Sequence, residues 1–409
     1  MTAEAVAPSV PPAAPTTPAT ATPVIPEATA AVLPDLPTVD FLWLSEPDMI
    51  AAGVTDMKLV VDTMEKTLGL LAAGDYRMAG DNNDSHGAMV SFPADPTHPG
   101  MPKDAEDRRF MAMPAYLGGE FGTTGVKWYG SNVDNKGRGL PRSVHLFVLN
   151  DTETGAPIAL MSANLLSAYR TGAVPGLGAR YFARPDSKVV GVLGPGVMAK
   201  TTLASFVVEC PELDTLKLKG RGQKSLENFI AWVKETYPQF TTIEVVDTVE
   251  DVVRGSDLVT YCTTSGEKNP DTYPLVKKEW VKPGAFLAMP SSCNVDDAML
   301  GTTKVLDGWG LYEAWYHEVP KPSHHHVPIL GSKFADLVFD GKMKREDLVE
   351  IGDVVNGDRP ARQSDEEIVI MSVGGMPVED VALATTVYRR AKDLGLGQSL
   401  RLWDAPALA

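Results

Sequence analysis

The segment Val189-Val190-Gly191-Val192-Leu193-Gly194-Pro195-Gly196-Val197-Met198-Ala199 constrains the fold of this chain more than any other stretch. A short apolar run passes into two glycines and then into helix-forming sequence, the pattern of a buried strand, a tight turn and the start of a helix. In G-x-G-x-x-A the first glycine permits the turn and the second lets backbone approach a pyrophosphate, while the alanine lets the helix pack closely on the strand. The free amides of the helix end, at Val197 and Met198, then face the phosphates with the positive end of the helix dipole. The same glycines also suit a tight turn that holds no ligand.

The sequence beyond this point favours the dinucleotide reading. Strands are expected over 189–193, 215–219, 243–246, 258–262, 285–289 and 304–308, with helices over 197–210 and 225–237. Strands alternating with helices predict a parallel sheet with right-handed crossovers. An NAD site usually places Asp or Glu at the end of the second strand, to bind the ribose 2′-hydroxyl. Here that strand ends Lys219-Gly220-Arg221-Gly222-Gln223-Lys224. Cations without a carboxylate suit a 2′-phosphate, so NADP(H) is the preferred cofactor and NAD(H) the second choice, with Arg221 and Lys224 as the contacts. A solvated basic turn is the plain alternative.

Composition narrows the partners. Against 37 Lys+Arg stand 53 Asp+Glu, and a formal charge of −16 repels phosphate backbones and anionic lipid surfaces. Neither nucleic acid nor membrane is expected as a partner. Cys210, Cys262 and Cys293 are widely spaced and lack metal-type pairing, so they read as reduced thiols in a cytoplasmic protein. No apolar run approaches the roughly 20 residues that cross a bilayer. Residues 1–40 hold 9 of the 32 prolines and no aromatic side chain before Phe41, which predicts a disordered tail. The first cation in the chain is Lys58, so no basic leader is expected.

Met57, Val60, Val61, Met64, Leu68 and Leu71 recur at helical spacing between the capping residue Asp56 and Gly74. Strand-like runs follow at 110–116, 126–129 and 144–150, separated by glycines. This first region reads as α+β.

A set of motifs in order resembles the ornithine cyclodeaminase/μ-crystallin family. They are Met113-Pro114-Ala115, Gly125-Val126-Lys127, Gly139-Leu140-Pro141, Ala168-Tyr169-Arg170-Thr171-Gly172-Ala173, Glu350-Ile351-Gly352-Asp353-Val354-Val355-Asn356-Gly357 and Gly375-Met376-Pro377-Val378-Glu379-Asp380. The resemblance implies an α/β protein: a Rossmann-type dinucleotide-binding domain over 168–377, plus an α+β substrate and dimerisation domain formed from both chain ends, 41–167 and 378–409. It implies a homodimer, and a carboxylate clamp of Arg77, Lys127 and Arg170. Two of these stand out on their own terms. Lys127 interrupts an apolar-aromatic strand and Arg170 lies among small residues, and a buried cation requires an anion. An internal Asp or Glu would satisfy that requirement as well as a substrate.

Two departures from the family pattern matter. Pro175 and Gly176 are expected to kink or split the helix that follows Arg170. Cyclodeaminases carry a proton-transferring Asp shortly after the fourth strand, where this chain has Thr263-Thr264-Ser265-Gly266-Glu267. Thr263 and Thr264 are read as cofactor contacts, with Glu267 or Asp271 as a substitute base if the loop folds inward. His324-His325-His326 lies in a proline-marked loop, where one histidine can reach substrate but metal is not expected. Cys293 reads as a packed thiol.

The expected activity is that of an NAD(P)H-dependent oxidoreductase on the C–N bond of a small amino or cyclic imino acid, of imine/ketimine reductase or amino-acid dehydrogenase type. Lys127 and Arg170 are its catalytic residues. One alternative is a cyclodeaminase forming proline and ammonia from ornithine. The other is a μ-crystallin-like, NADPH-dependent binding protein.

Overall fold

The computed structural model describes residues 38–263 and 269–407. The chain begins with β1 (Val39–Leu44), α1 (Glu46–Ala51) and α2 (Met57–Ala72). Asp56 caps α2 by accepting from the Leu59 amide, as the sequence predicts. Short strands β2 (Tyr76–Met78) and β3 (Ala88–Val90) lead into the long β4 (Arg109–Leu117), β5 (Thr123–Ser131), β6 (Ser143–Asp151) and β7 (Pro157–Ser162). In β4 the alternate residues Met111, Met113, Ala115 and Leu117 are buried while Phe110 is exposed, the period-two pattern of a sheet with one covered face.

Helix α3 (Asn164–Phe182) leads from this sheet into a regular alternation of β8 (Val189–Leu193), α4 (Val197–Glu209), β9 (Thr215–Lys219), α5 (Gln223–Thr236), β10 (Thr242–Val245), α6 (Val249–Val253) and β11 (Leu258–Tyr261). A two-stranded ladder of β12 (Leu275–Val276) and β14 (Asn294–Val295) brackets β13 (Phe286–Met289). Then follow β15 (Thr303–Leu306), α7 (Trp309–Glu318), α8 (Leu330–Phe339), β16 (Leu348–Glu350), α9 (Ile351–Val355), β17 (Val369–Ser372), α10 (Pro377–Asp393) and β18 (Gln398–Trp403).

Two eight-stranded sheets result. The first runs β18-β1-β7-β6-β5-β4-β2, with β3 also on β4, and is antiparallel except between β1 and β7. The second runs β10-β9-β8-β11-β13-β17-β15-β16 and is parallel throughout. This is the α/β, Rossmann-type arrangement with a second sheet that the sequence predicts. Helices α2, α3 and α10 pack on one another; α10 also meets β4 and β5, and α3 also meets β13, so one apolar core runs between the sheets.

Beyond α10, β18 pairs antiparallel with β1. One feature differs from expectation. Helix α3 is continuous through Pro175 rather than split. Packing explains this: a side chain at Gly172 would strike Thr201 at 2.3 Å, and one at Gly176 would strike Ser205 at 2.4 Å. Small residues one turn apart let α3 lie against α4 at backbone distance, and Ser205 Oγ donates to the Gly172 carbonyl at 2.7 Å.

Candidate functional site

The nucleotide-side turn follows from glycine geometry. Gly194 has φ +92°, and a Cβ there would press on the Cys262 carbonyl at 2.7 Å, so only glycine fits. Gly196, extended at the head of α4, would meet nothing within 4 Å. Val197 is exposed, whereas Ala199 is fully buried against the sheet. An open backbone at 196, unshielded amides at the α4 terminus, and the Thr263 Oγ1 hydroxyl, buried without a partner among the described residues, fit a dinucleotide. Pro195 packs on Gly220, while Arg221 and Lys224 stand exposed at the end of β9. Thr264 lies outside the described residues.

A substitution separates the two glycines. Gly196→Val is expected to weaken dinucleotide binding by on the order of 100-fold, because its side chain takes the space a pyrophosphate needs. The stability of the cofactor-free protein should stay within about 0.5 kcal/mol. Fluorescence titration with NADPH, alongside urea unfolding, reads both quantities. Undiminished affinity would place the phosphates elsewhere.

The second centre is a buried charge cluster. Lys127 lies mid-way along β5 on its covered face, and Arg170 lies on α3 two residues before the Gly172 contact with α4. Glu379 and Asp380 occupy the first turn of α10, behind Pro377, where helix amides favour carboxylates. All four are buried. Asp380 bridges the cations, its Oδ2 accepting from Lys127 Nζ at 2.8 Å and its Oδ1 from Arg170 Nε at 2.9 Å. Arg170 Nη1 donates to Glu379 Oε2 at 2.7 Å, and Lys127 Nζ also reaches Ser167 Oγ at 3.1 Å. The guanidinium lies so close to Gly375 that a Cβ there would meet Nη1 at 2.4 Å, which accounts for the glycine of that motif.

Burial sets the proton equilibria. It pulls the Lys127 ammonium down to about 8, with Arg170 adding to the effect and Asp380 resisting it. Burial also pushes the Glu379 carboxyl up to about 7 against the pull of Arg170, and its Oε1 has no partner among the described residues. For Asp380 burial is outweighed by Arg170 and Lys127, which hold it below the usual carboxylate range. The two cations are thus paired with two internal carboxylates, of which Glu379 is the one whose charge burial disfavours.

A model of the ornithine cyclodeaminase/mu-crystallin family matches residues 53–395. The chain belongs to this family. It is 27% identical over 372 residues to the N-((2S)-2-amino-2-carboxyethyl)-L-glutamate dehydrogenase of Staphylococcus aureus, covering 89% of this chain and 99% of that protein. It is 30% identical over 300 residues to the alanine dehydrogenase of Archaeoglobus fulgidus, covering 71% and 83%. An archaeal alanine dehydrogenase dimer with bound NAD superposes with a TM-score of 0.69 at 25% identity, over 89% of this chain and all of that one.

Arg77, the third residue the family resemblance suggests, is not brought to the cluster. It pairs across β4 with Tyr116, whereas Met78 pairs with Ala115 on the covered face; Arg77 is exposed on the other face and donates to the Gly74 carbonyl. A one-residue step along a strand reverses the face. Side chains that sequence reasoning passed over stand on the covered face instead. His145 stacks on Tyr129 at 4.6 Å, and His86 lies beside Trp315 at 5.4 Å. Burial and then Lys127 hold both imidazoles at about 3, so they are neutral hydrogen-bonding groups at working pH. For His145 the signal was the alternation in β5 and β6, which assigns Lys127, Tyr129 and His145 to one face; His86 lies in the loop before β3 and had none.

The remaining candidates resolve differently. His324 is buried, with Nε2 at 3.0 Å from the Cys293 carbonyl, in a packing role. Among the described residues no cluster of metal-binding side chains occurs. Cys293 is buried and its thiol is pushed upward by burial, as expected of a packed residue. Asp271 is exposed, and Ser265, Gly266 and Glu267 lie outside the described residues. No helix among the described residues is long and apolar enough to cross a membrane.

Proposed function

We propose that this protein is an imine/ketimine reductase or amino-acid dehydrogenase that holds the substrate carboxylate at Lys127 and Arg170. It is an NAD(P)-dependent oxidoreductase acting on the C–N bond of amino or imino acids. The observation that carries the finer reading is adjacency. Arg170 and the Gly172 contact share one turn of α3, and Thr201, which Gly172 touches, lies one turn along α4 from the phosphate-binding turn at Gly196. A clamp on one helix and a cofactor turn on its packed neighbour orient a carbon–nitrogen bond beside the nicotinamide.

The dinucleotide, when bound, supplies hydride in the reductive direction and accepts it in the oxidative one. Lys127, poised near pH 8, provides a proton for the imine nitrogen and its charge for the carboxylate. Asp380 orients that ammonium. Arg170, which stays charged at any working pH, holds the carboxylate plane. Arg221 and Lys224 support NADP(H) over NAD(H). The exposed apolar residues Phe110, Trp128, Val144 and Leu146 adjoin one another on the outer face of β4, β5 and β6, and support a homodimer through that sheet. We place the dimer in the cytoplasm.

The test is purified protein with NADPH or NADH and a panel of cyclic and open-chain imino acids, beside ornithine. NADPH oxidation by imino acids is expected, with tighter binding of NADPH than NADH and a reversal of that preference in Arg221→Asp. Proline and ammonia from ornithine at constant NADPH would replace this reading with a cyclodeaminase. Cofactor-dependent ligand binding without turnover would replace it with a binding protein.

A further inference from the structure

One buried carboxylate takes no part in the chemistry above. Asp307 follows β15, whose last residue Leu306 pairs with Ser372 at the end of β17, so the sheet register sets it beside the segment that leaves β17 for α10. Its partners among the described residues are four neutral donors. Oδ2 accepts from the amides of Gly374 at 2.6 Å and Gly375 at 3.0 Å, and Oδ1 from the Tyr312 hydroxyl at 2.6 Å and the Gly308 amide at 3.2 Å. Burying a carboxylate among neutral donors is costly, and burial pushes the Asp307 carboxyl upward against these hydrogen bonds. The gain is that both oxygens accept, whereas an asparagine would turn an NH2 group toward two of the four donors.

What the carboxylate holds is the turn behind Arg170. Gly375 has φ +79°, and its Cα lies against Arg170 Nη1, while a Cβ at Gly374 would meet Leu311 at 2.6 Å and Trp315 at 3.1 Å. The turn is thus wedged between α7 and the guanidinium. Immediately after it Pro377 opens α10, which carries Glu379 and Asp380 to Arg170. Tyr312 extends the hold, since its hydroxyl lies 3.1 Å from Ser372 Oγ, which accepts at 2.8 Å from the Gly331 amide in the first turn of α8. One carboxylate therefore ties the ends of β15 and β17 and the helix α7 to the turn that the Arg170 guanidinium faces. Its charge also opposes ionisation of Glu379.

We propose that Asp307 is a positioning residue for the substrate clamp: through the Gly374 and Gly375 amides it fixes the turn against which the Arg170 guanidinium lies and from which α10 presents Glu379 and Asp380. The proposal rests on the reading above that Arg170 holds the substrate carboxylate.

Steady-state kinetics and urea unfolding of the wild type, Asp307→Asn, Arg170→Met and the double variant test it, with the imino acid of the panel above that has the highest kcat/KM. At saturating NADPH, Asp307→Asn should raise KM for the imino acid roughly 10-fold, the effect of one misaligned charge-assisted contact, and leave the Kd of NADPH unchanged. A substitution that only loosened the fold would remove active molecules, lowering the apparent kcat and leaving KM in place; that outcome overturns the proposal. In the Arg170→Met background, Asp307→Asn should raise KM no further and should cost less stability than in the wild type, because the guanidinium it positions is gone. Equal costs in the two backgrounds overturn the proposal as well. If Asp307→Asn does not fold, Tyr312→Phe takes its place in the same cycle: it keeps the ring and both glycine contacts, removes one hydrogen bond from Asp307, and should raise KM a few-fold with NADPH binding unchanged. The clamp reading is scored separately, by Arg170→Met alone. If no imino acid turns over, or Arg170→Met leaves KM unchanged, that reading fails, and the unfolding cycle by itself decides whether Asp307 acts on Arg170.

Discussion

Arg170→Met is expected to destabilise the protein by about 3–5 kcal/mol, because it leaves Glu379 and half of Asp380 buried without a cation. The Glu379 carboxyl, already pushed up to about 7, can take a proton and absorb part of that loss. Adding Glu379→Gln to the variant should therefore restore stability, since one of the two stranded carboxylates is gone. Urea unfolding at constant slope gives both differences. Activity should fall further than stability explains: a lost charge-assisted contact in a dry site is worth about 2–4 kcal/mol of transition-state binding, roughly 30- to 1000-fold in kcat/KM. Near wild-type values of both quantities would remove Arg170 from the site.

Lys127 should impose an alkaline limit on imine reduction. Its ammonium is protonated below about 8, so kcat/KM should be level below that pH and fall about tenfold per pH unit above it. The sign follows from the role: both the proton and the positive charge disappear as pH rises through that value. Lys127→Met should lose rate and substrate affinity together. Lys127→Arg distinguishes the two roles, because arginine keeps the charge but does not release a proton. It should preserve KM within a few-fold, abolish the alkaline limb, and reduce kcat by about 10²–10⁴ if lysine is the proton donor. An unchanged kcat would confine Lys127 to binding.

Much of the nucleotide-binding half was legible because its signals are local. Strand 189–193, the two glycines and the helix after them are adjacent in the chain, and 215–219 was recovered to the residue. Arg170 and Lys127 were also visible, as cations where apolar or small residues prevail. Their partners were less so. Glu379 and Asp380 read as an acidic first turn of a helix, a common exposed feature, and lie more than 200 residues from Arg170. The continuity of α3 was misjudged for a related reason: proline is a local breaker, whereas the compensating fit against Thr201 and Ser205 comes from another helix.

By itself, then, the sequence determined the alternating order of elements, the glycine turn between β8 and α4 and the two buried cations, since each depends on chemistry within a few residues. Only the tertiary structure decided which face each strand residue occupies and what each buried charge meets. Arg77 and Arg109 illustrate the division. Arg77 lies in β2 and Arg109 opens β4, yet pairing with Tyr116 turns one outward while pairing with Ser131 turns the other onto the covered face, in the row next to Tyr129. Side chains alternate along a strand, so a register shift of one residue inverts every assignment, and register is set by contacts between segments far apart in the chain.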